Sequence, residues 1–544
     1  MFLNKLPGQS TIRSWYGAVN GKPGFTTEAR DALKRKAALA AKEGKQLIGC
    51  LMVDEMQMSI RKQVQYKHSE GKCTGYVDFG NCLPEADEFP IANEALVYLV
   101  NCVNGKWKIP VAYFFVHSLT SAKRADLTKE VLIFLDDCGV KIACLTFDGL
   151  PGNFSMVKQL GADIYSEKVF FKHPVQNHEI FVILDGAHME KLMRNLLARR
   201  STIYNENNEE IKWEYLQRLV DLQEEYSKNL ANKLTKKHMH WKKNIMNVKI
   251  AAQTLSESVA VALTQLSEDS VVGFENCGPT IEFIMMVNNT FDVLNSRSLH
   301  SWGYKKPLSP QTKNNIFEHI ERATNYFSKL KIEPNGNSIL LTQQKTGPLG
   351  LVVTMSSVKP LYCNYLESNI MKFILTYKLS QDHLEVFFSS IRAMGAFNNN
   401  PNTVQFEAAY KKLLLHNDIK ESIYSNCAIQ TRTNILTISS RREKKNYEIE
   451  NILEDSECLI DDIPLKYLHP LLEHSVEYIS GFVKFKLKKI LKCGNCLEDI
   501  KTCDKIVSKF IIKKNKGYLL SPSQDTVILC SAAEKIINLK KNIQ

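Results

Sequence analysis

Apolar and polar positions alternate along the chain in blocks whose period changes. Residues 26–42 are rich in Ala, Lys and Arg at helical spacing; Thr26 or Thr27 can cap the start and Gly44 can end it, which predicts a short helical entry. From Gln46 the pattern is that of strands: LIGCLMVDEM, CTGYVDFG, ALVYLVNCV and KIPVAYFFV, the last two joined through Asn104-Gly105, a hairpin signal. Residues 123–138 are apolar at Ala125, Leu127, Val131, Leu132 and Leu135, predicting a helix that Gly139 closes. KIACLTFDG then reads as a buried strand ending in an acid. After Pro174, IFVILDGAHMEKLMRN predicts a strand running into a helix. The apolar runs 180–184 and 349–355 both suit buried strands.

Neither Gly nor Pro occurs between Gly186 and Gly273, and helical spacing dominates 213–269, 279–298 and 311–330. This predicts a mainly helical insertion over 196–366, followed by an amphipathic helix over 379–393. The expected organisation is an entry segment (1–44), an α/β domain in two parts (45–195 and 367–447) split by that insertion, an acidic linker (448–466), and a small basic, α-rich C-terminal domain (467–544).

Composition narrows the class. Hydrophobic residues make up 44% and charged residues 24%, a globular balance. No apolar run approaches the roughly 18–20 residues of a membrane-spanning helix, and residues 1–8 lack the apolar core of a signal peptide. The formal net charge of +12 favours a polyanionic partner. Fourteen cysteines scattered through a long chain read as reduced thiols of the cytosol or nucleus.

Four acids sit where chemistry would need them. Asp54 ends the first strand, Asp78 lies in the second, Asp148 ends the strand after the helix, and Glu385 lies on a helix far downstream. Carboxylates at the edge of an open α/β sheet can hold divalent metal, and oxygen ligands suit Mg²⁺. Paired metals can align a water or 3′-OH for in-line attack on a phosphodiester. Against this stands the commonness of acids at strand ends. Asp185 and His188, three apart at a strand-to-helix junction, are either supporting groups for such a site or an N-cap acid with a packed histidine. No GxxxxGK[ST] phosphate loop is present. Cys493 and Cys496, with Cys503, His469 and His474 nearby, supply half of a zinc pattern or a structural pair of thiols.

The blocks LPGQSTIRSWY, LMVDEM, GYVDFG, WKIPVAYFF, LTFDG, LDGAHMEKLMRN, FDVLNSR, ILTYKLSQDHLEVFFSSIR and YISGFV occur in this order. Together they resemble the P-element superfamily of transposases, including its THAP-domain relatives, over roughly residues 6–482. The resemblance implies an RNase H-like catalytic domain interrupted by a helical GTP-binding insertion, and an Asp-Asp-Glu site with Asp148 second and Glu385 third. Counting three antiparallel strands back from the 123–138 helix makes GYVDFG the first core strand and Asp78 its acid. If ALVYLVNCV is not a core strand, Asp54 takes that place.

The resemblance also implies Mg²⁺ or Mn²⁺ and GTP as cofactors. It places GTP contacts at Val248, Lys249, Asp292 and Asp382, where the alternative is a surface lysine and two capped or salt-bridged acids. Double-stranded DNA, both transposon ends and target, would be the partner of a homo-oligomer in the nucleus. The family's zinc finger and coiled coil are not expected in this chain, whose first cysteine is Cys50. The rival expectation is a domesticated relative that binds DNA or protein without catalysis.

Overall fold

The structure, a computed structural model, describes residues 20–60, 64–67, 72–80, 90–166, 168–395, 398–415, 469–491, 493, 509–516 and 519–543. They fall into two units. The first takes the described residues within 1–196, 246–249 and 289–437, and the second those within 197–245, 250–288 and 438–544.

At the centre of the first unit is β2 (Leu47–Gln57), whose residues 48–53 are all buried, as a strand covered on both faces requires. The sheet contains β1 (Gly24–Phe25), β2, β5 (Glu94–Cys102), β6 (Lys108–Val116), β7 (Val140–Phe147), β8 (Phe170–Lys172) and β9 (Glu179–Leu184), in the order β1-β6-β5-β2-β7-β9-β8. β2, β5 and β6 form an antiparallel meander. Then α2 (Ser121–Asp137) crosses over, so that β7 pairs parallel to β2 and β9 parallel to β7. α1 (Thr27–Lys42) lies between β1 and β2 in the chain, α3 (Pro151–Leu160) follows β7, and α4 (Gly186–Arg200) follows β9.

Two irregularities in the sheet have local causes. The β5–β6 register shifts between Tyr98 and Leu99, where Leu99 faces Pro110, a residue with no N–H to give the ladder. The β2–β7 register shifts between Gly49 and Cys50. A Cβ at Gly49 would lie 3.0 Å from Ile142 Cδ1 and 3.1 Å from Val100 Cγ1, so a side chain there would push both neighbours aside.

One strand expectation fails. CTGYVDFG is not a core strand: among the described residues β4 (Lys72–Thr74) pairs only with β3 (Gln65–Lys67), and beyond it come isolated bridges, Tyr76 to Ile91 and Asp78 to Phe115. Gly75 and Gly80, at φ 111° and 58°, turn the backbone out of extended geometry. A Cβ on Gly80 would meet Pro23 O at 2.4 Å. The meander is therefore β2-β5-β6, and the strand carrying LMVDEM is its first member.

The run 349–355 is likewise helical, lying inside α11 (Thr346–Tyr362), which is preceded by α10 (Lys313–Ser328). A short, uniformly apolar run cannot distinguish a buried strand from a buried helix. α11 packs on β9: Thr354 donates to Leu184 O (3.2 Å) and accepts from Leu184 N (2.9 Å), while Ser357 donates to Val182 O (2.7 Å). Residues 289–366, expected within the insertion, thus group with the sheet. The downstream part of this unit holds α12 (Asp382–Met394) and α13 (Thr403–Leu415). Tyr410 of α13 hydrogen-bonds Thr26 (2.6 Å) and packs with Phe406 against Tyr113 of β6.

Among its described residues the second unit is helical apart from a hairpin of β10 (Thr202–Tyr204) and β11 (Glu210–Lys212). Its insertion part includes α5 (Glu214–Glu225), α6 (Lys236–Met239), α8 (Glu257–Glu268) and the first turns of α9 (Gly278–Leu294). The short α7 (Val248–Thr254) begins at the candidate nucleotide residues. The basic tail contributes α14 (Pro470–Ile490), α15 (Lys509–Lys514) and α16 (Gln524–Ile543) to the same unit. Charged contacts join tail to insertion: His474 to Asp269 (2.8 Å), Lys228 to Glu534 (2.6 Å), and Lys513 to Glu268. Among the described residues no helix is long and apolar enough to cross a membrane.

Candidate active site

Parallel strands that end together place their following residues side by side. Met52 of β2 pairs with Thr146 of β7, and Phe147 of β7 with Leu184 of β9. Two residues past the first pair come Asp54 and Asp148; one past the second come Asp148 and Asp185. Three acids from distant parts of the sequence therefore stand at the carboxyl edge of adjacent strands, where open α/β sheets place their sites.

Glu385 reaches this edge through a segment laid across the sheet. Asn101 of β5 donates to Lys378 O (2.8 Å), and Thr146 of β7 donates to Leu379 O (2.7 Å). The Lys378 ammonium donates to the carbonyls of Val103 (2.8 Å) and Gly105 (2.6 Å) in the β5–β6 turn. Gln381 donates its side chain to Val53 O (3.2 Å) and its backbone N–H to Asp185 Oδ1 (3.0 Å). α12 starts at the next residue, so its first turn carries Asp382 and Glu385 to the site.

The acids repel one another. Burial, then Asp148, then Glu55 and more weakly Glu385, hold the Asp54 carboxyl well above the usual range. Burial raises Asp148 as well, although the Leu150 N–H (3.1 Å) and Asn153 side chain (2.8 Å) both donate to it. That Asn153 is fixed by Arg124 (2.9 Å), and Arg124 is itself paired with Glu55, neighbour of Asp54. A Glu55–Arg124–Asn153–Asp148 chain thus orients one acid from the strand of the other.

Asp185 is 2% exposed, and burial with Asp382 and Glu385 close by lifts it to about 7. Its second oxygen accepts the His188 N–H (2.8 Å), the N-cap role open to an acid three residues ahead. The His188 ring is pushed down to about 3 by burial and the neighbouring Lys191. Two cations that sequence reasoning did not single out face the acids. Lys191 of α4 is acted on by Glu385, Asp185 and Asp148, and Arg392 of α12 by Glu385 and Asp54. Their signal was helical spacing: Arg392 is two turns after Glu385 in a motif already noted.

Asp78 lies elsewhere. Its backbone is bridged to Phe115 of β6, so β6 and β5 separate it from β2, and its carboxylate accepts the N–H of Gly80 (2.9 Å). Of the nucleotide candidates, Asp382 is paired with Arg297 (2.9 Å) and Asp292 with Lys305 (3.5 Å). Val248 and Lys249 open α7. Burial, and after it Asp292, hold the Glu190 carboxyl well above its ordinary value.

For zinc, both histidines are otherwise engaged. His469 caps α14 by accepting the Leu471 N–H (3.2 Å) and stacks on Tyr226, and His474 bonds Asp269. Cys493 is exposed, while Cys496 and Cys503 lie outside the described residues.

The donor set at the strand edge, hard carboxylate oxygens that raise one another's pKa, suits a divalent cation such as Mg²⁺. Among the described residues no three His, Cys, Asp or Glu side chains already have the spacing of a metal-binding group. The acids converge but do not form a closed cage.

Comparison with known proteins matches four segments of the chain. Residues 21–161 match the TNP-like RNase H N-terminal domain and 187–307 the TNP-like GTP-binding insertion domain. Residues 377–411 match the TNP-like RNase H C-terminal domain, and 467–544 the C-terminal domain of DNA transposase THAP9. Human DNA transposase THAP9 is 29% identical over 98% of this chain and 60% of its own length. The P transposase of Drosophila melanogaster is 25% identical over 78% of this chain and 54% of its own. The chain thus spans somewhat over half the length of these relatives. The Drosophila P element transposase strand transfer complex shares the fold, with a TM-score of 0.61, 23% identity, and coverage of 75% of this chain and 85% of that one. With an RNase H-like sheet, a GTP-binding insertion module and these relatives, the chain belongs to the P-element superfamily of transposases.

Proposed function

We propose that this chain is a DNA transposase core in which Asp54, Asp148 and Glu385 hold Mg²⁺ or Mn²⁺ for cleavage of transposon ends and strand transfer into target DNA. The reading rests above all on the register that sets Asp54 beside Asp148, with the Asn101, Thr146 and Gln381 contacts delivering Glu385. It replaces Asp78, whose strand is not part of the meander, with Asp54. Bound divalent metal supplies charge neutralisation for the attacking and leaving oxygens of an in-line displacement. The chain's own groups do the rest. The Glu55–Arg124–Asn153 chain holds Asp148 in place, and Asp185 ties the start of α12 to the start of α4. Arg392, facing the acids from α12, is placed to meet a DNA phosphate.

GTP is the second cofactor in this reading, met by Val248, Lys249, Asp292 and Asp382. Arg297 and Lys305 would have to release the two acids, or turn to phosphate oxygens, when it binds. Asp382 precedes Glu385 on one helical turn, so nucleotide and metal would share α12. The protein would act as a homo-oligomer on nuclear double-stranded DNA. The open spacing of the acids favours one rival, a DNA-binding relative that does not cut.

Purified chain incubated with its own element's ends and a supercoiled target should nick and join in Mg²⁺ or Mn²⁺, and Glu385→Gln should do neither. Salt-sensitive DNA binding without cleavage in either protein would leave the rival standing. Nucleotide binding that survives both Asp292→Asn and Asp382→Asn would remove the GTP assignment.

A further inference from the structure

The start of α12 is not capped in the ordinary way. Gln381 occupies the N-cap position, but its side chain makes no capping bond and donates instead to Val53 O (3.2 Å). A first turn without a cap leaves N–H groups unsatisfied and frays readily. Glu385 belongs to that turn. Its N–H closes on Gln381 O (3.1 Å), as does that of Leu384 (2.8 Å). Whatever fixes residues 381 and 382 therefore fixes the third acid.

Asp185 holds residue 381. Residue 382 is held by the turn that follows α9. Arg297 Nη2 donates to Asp382 Oδ2 (2.9 Å), and Arg297 Nε donates to Asn295 Oδ1 (2.9 Å). The guanidinium also lies 5.8 Å from the ring centroid of Tyr377. The same turn is bonded to the segment leading into α12: the Ser296 N–H donates to Thr376 Oγ1 (3.0 Å), and the Tyr377 N–H donates to Ser296 O (3.2 Å). A planar fork held at two nitrogens keeps one orientation, so the carboxylate it binds is held at one place.

We propose that Arg297 is a positioning residue of the acid site: by fixing Asp382 it keeps the first turn of α12 wound and Glu385 in place as a metal ligand. This inference rests on the metal-site reading above and is independent of the nucleotide assignment. The sign of the effect separates it from simple electrostatics. Taking a cation away from the neighbourhood of a metal site tightens divalent-cation binding by charge alone. Taking away the clamp on a ligand weakens it.

Mn²⁺ alone, titrated into the full chain without DNA or nucleotide and followed by electron paramagnetic resonance, reads the effect. Arg297→Met should weaken binding about tenfold, the scale of one lost charge-assisted hydrogen bond. Arg297→Lys keeps the charge but not the fork, and should fall between Arg297→Met and wild type. In a Glu385→Gln background Arg297→Met should change nothing further, because the ligand it positions is gone. Amide hydrogen exchange reads the clamp without metal. The Leu384 and Glu385 amides should exchange about tenfold faster in Arg297→Met, while those of β2 stay as in wild type. Should Arg297→Met not fold, Arg297→Lys carries the same cycle and the same exchange measurement. If Glu385→Gln weakens Mn²⁺ binding while Arg297→Met tightens it, leaves it unchanged, or weakens it equally with and without Glu385, the positioning proposal is overturned and the metal site stands. If Glu385→Gln binds Mn²⁺ as wild type does, the metal-site reading falls and this proposal with it.

Discussion

The backbone N–H of Gln381 donates to Oδ1 of Asp185 at 3.0 Å, joining residues 196 positions apart. One carboxylate thereby caps α4 through His188 and anchors the start of α12. The distance between the second half of the α/β domain and its first half is set here, and Glu385 is one helical turn away. Asp185 thus positions the helical turn that carries Glu385.

The choice between the first acids can be settled by substitution. Asp54→Asn should abolish cleavage while leaving DNA binding and the melting temperature nearly unchanged. Asp78→Asn should cut DNA at close to the wild-type rate, because its carboxylate closes only a local turn with Gly80. The reverse pattern in a nicking assay would restore GYVDFG as the catalytic strand.

Arg124 sits between two acids with little access to water; its side chain is 10% exposed and that of Glu55 8%. Arg124→Met leaves Glu55 buried without its cation and Asn153 without its anchor. Unfolding by denaturant should show a loss of about 3–5 kcal/mol, as for other buried pairs broken on one side. A loss below about 1 kcal/mol, the range of exposed pairs, would mean that water reaches Glu55.

Asp185 makes the metal-free protein sensitive to pH. Its carboxyl is lifted from 3.8 to about 7, so between those values the unfolded chain has released a proton that the folded chain still holds. Its contribution to stability is therefore lost as pH rises through that window. The melting temperature of wild type minus that of Asp185→Asn should shrink from pH 4.5 to pH 7.5. A difference that stays constant would show that Asp185 titrates normally.

His474 predicts a later loss. Burial pulls its pKa down, but Glu477 (3.6 Å from Nδ1) and Asp269 (2.8 Å from Nε2) together outweigh it and raise the value above 6.5. The folded state holds the proton more tightly, so this stability is complete below the unfolded value and fades as pH rises through the folded one. Hydrogen exchange of the α14 amides should quicken on that rise in wild type. In His474→Gln it should lack this step.

Much was legible in the one-dimensional pattern. Thr120 and Gly139 bracket α2 within two residues of the expected helix, and KIACLTFDG is β7 with Asp148 beyond its end. DHLE lies on a helix, as its spacing required. These follow from local physics: periodicity decides which face is buried, and caps and glycines decide where an element stops.

The first acid was not legible in the same way, because CTGYVDFG and LIGCLMVDEM are both plausible strands read alone. Only pairing distinguishes them. β2 finds partners on both edges, whereas positive φ at Gly75 and Gly80 leaves Asp78 with a single bridge. Nor could composition reveal that Arg297 pairs with Asp382, or that 349–355 is a helix packed on β9. The sequence by itself determined most of the elements, the acid-bearing motifs and the family, because these depend on neighbours along the chain. Which acids meet, and which cation meets them, was decided by strand order and by the Gln381–Asp185 bond, because those depend on residues far apart in sequence.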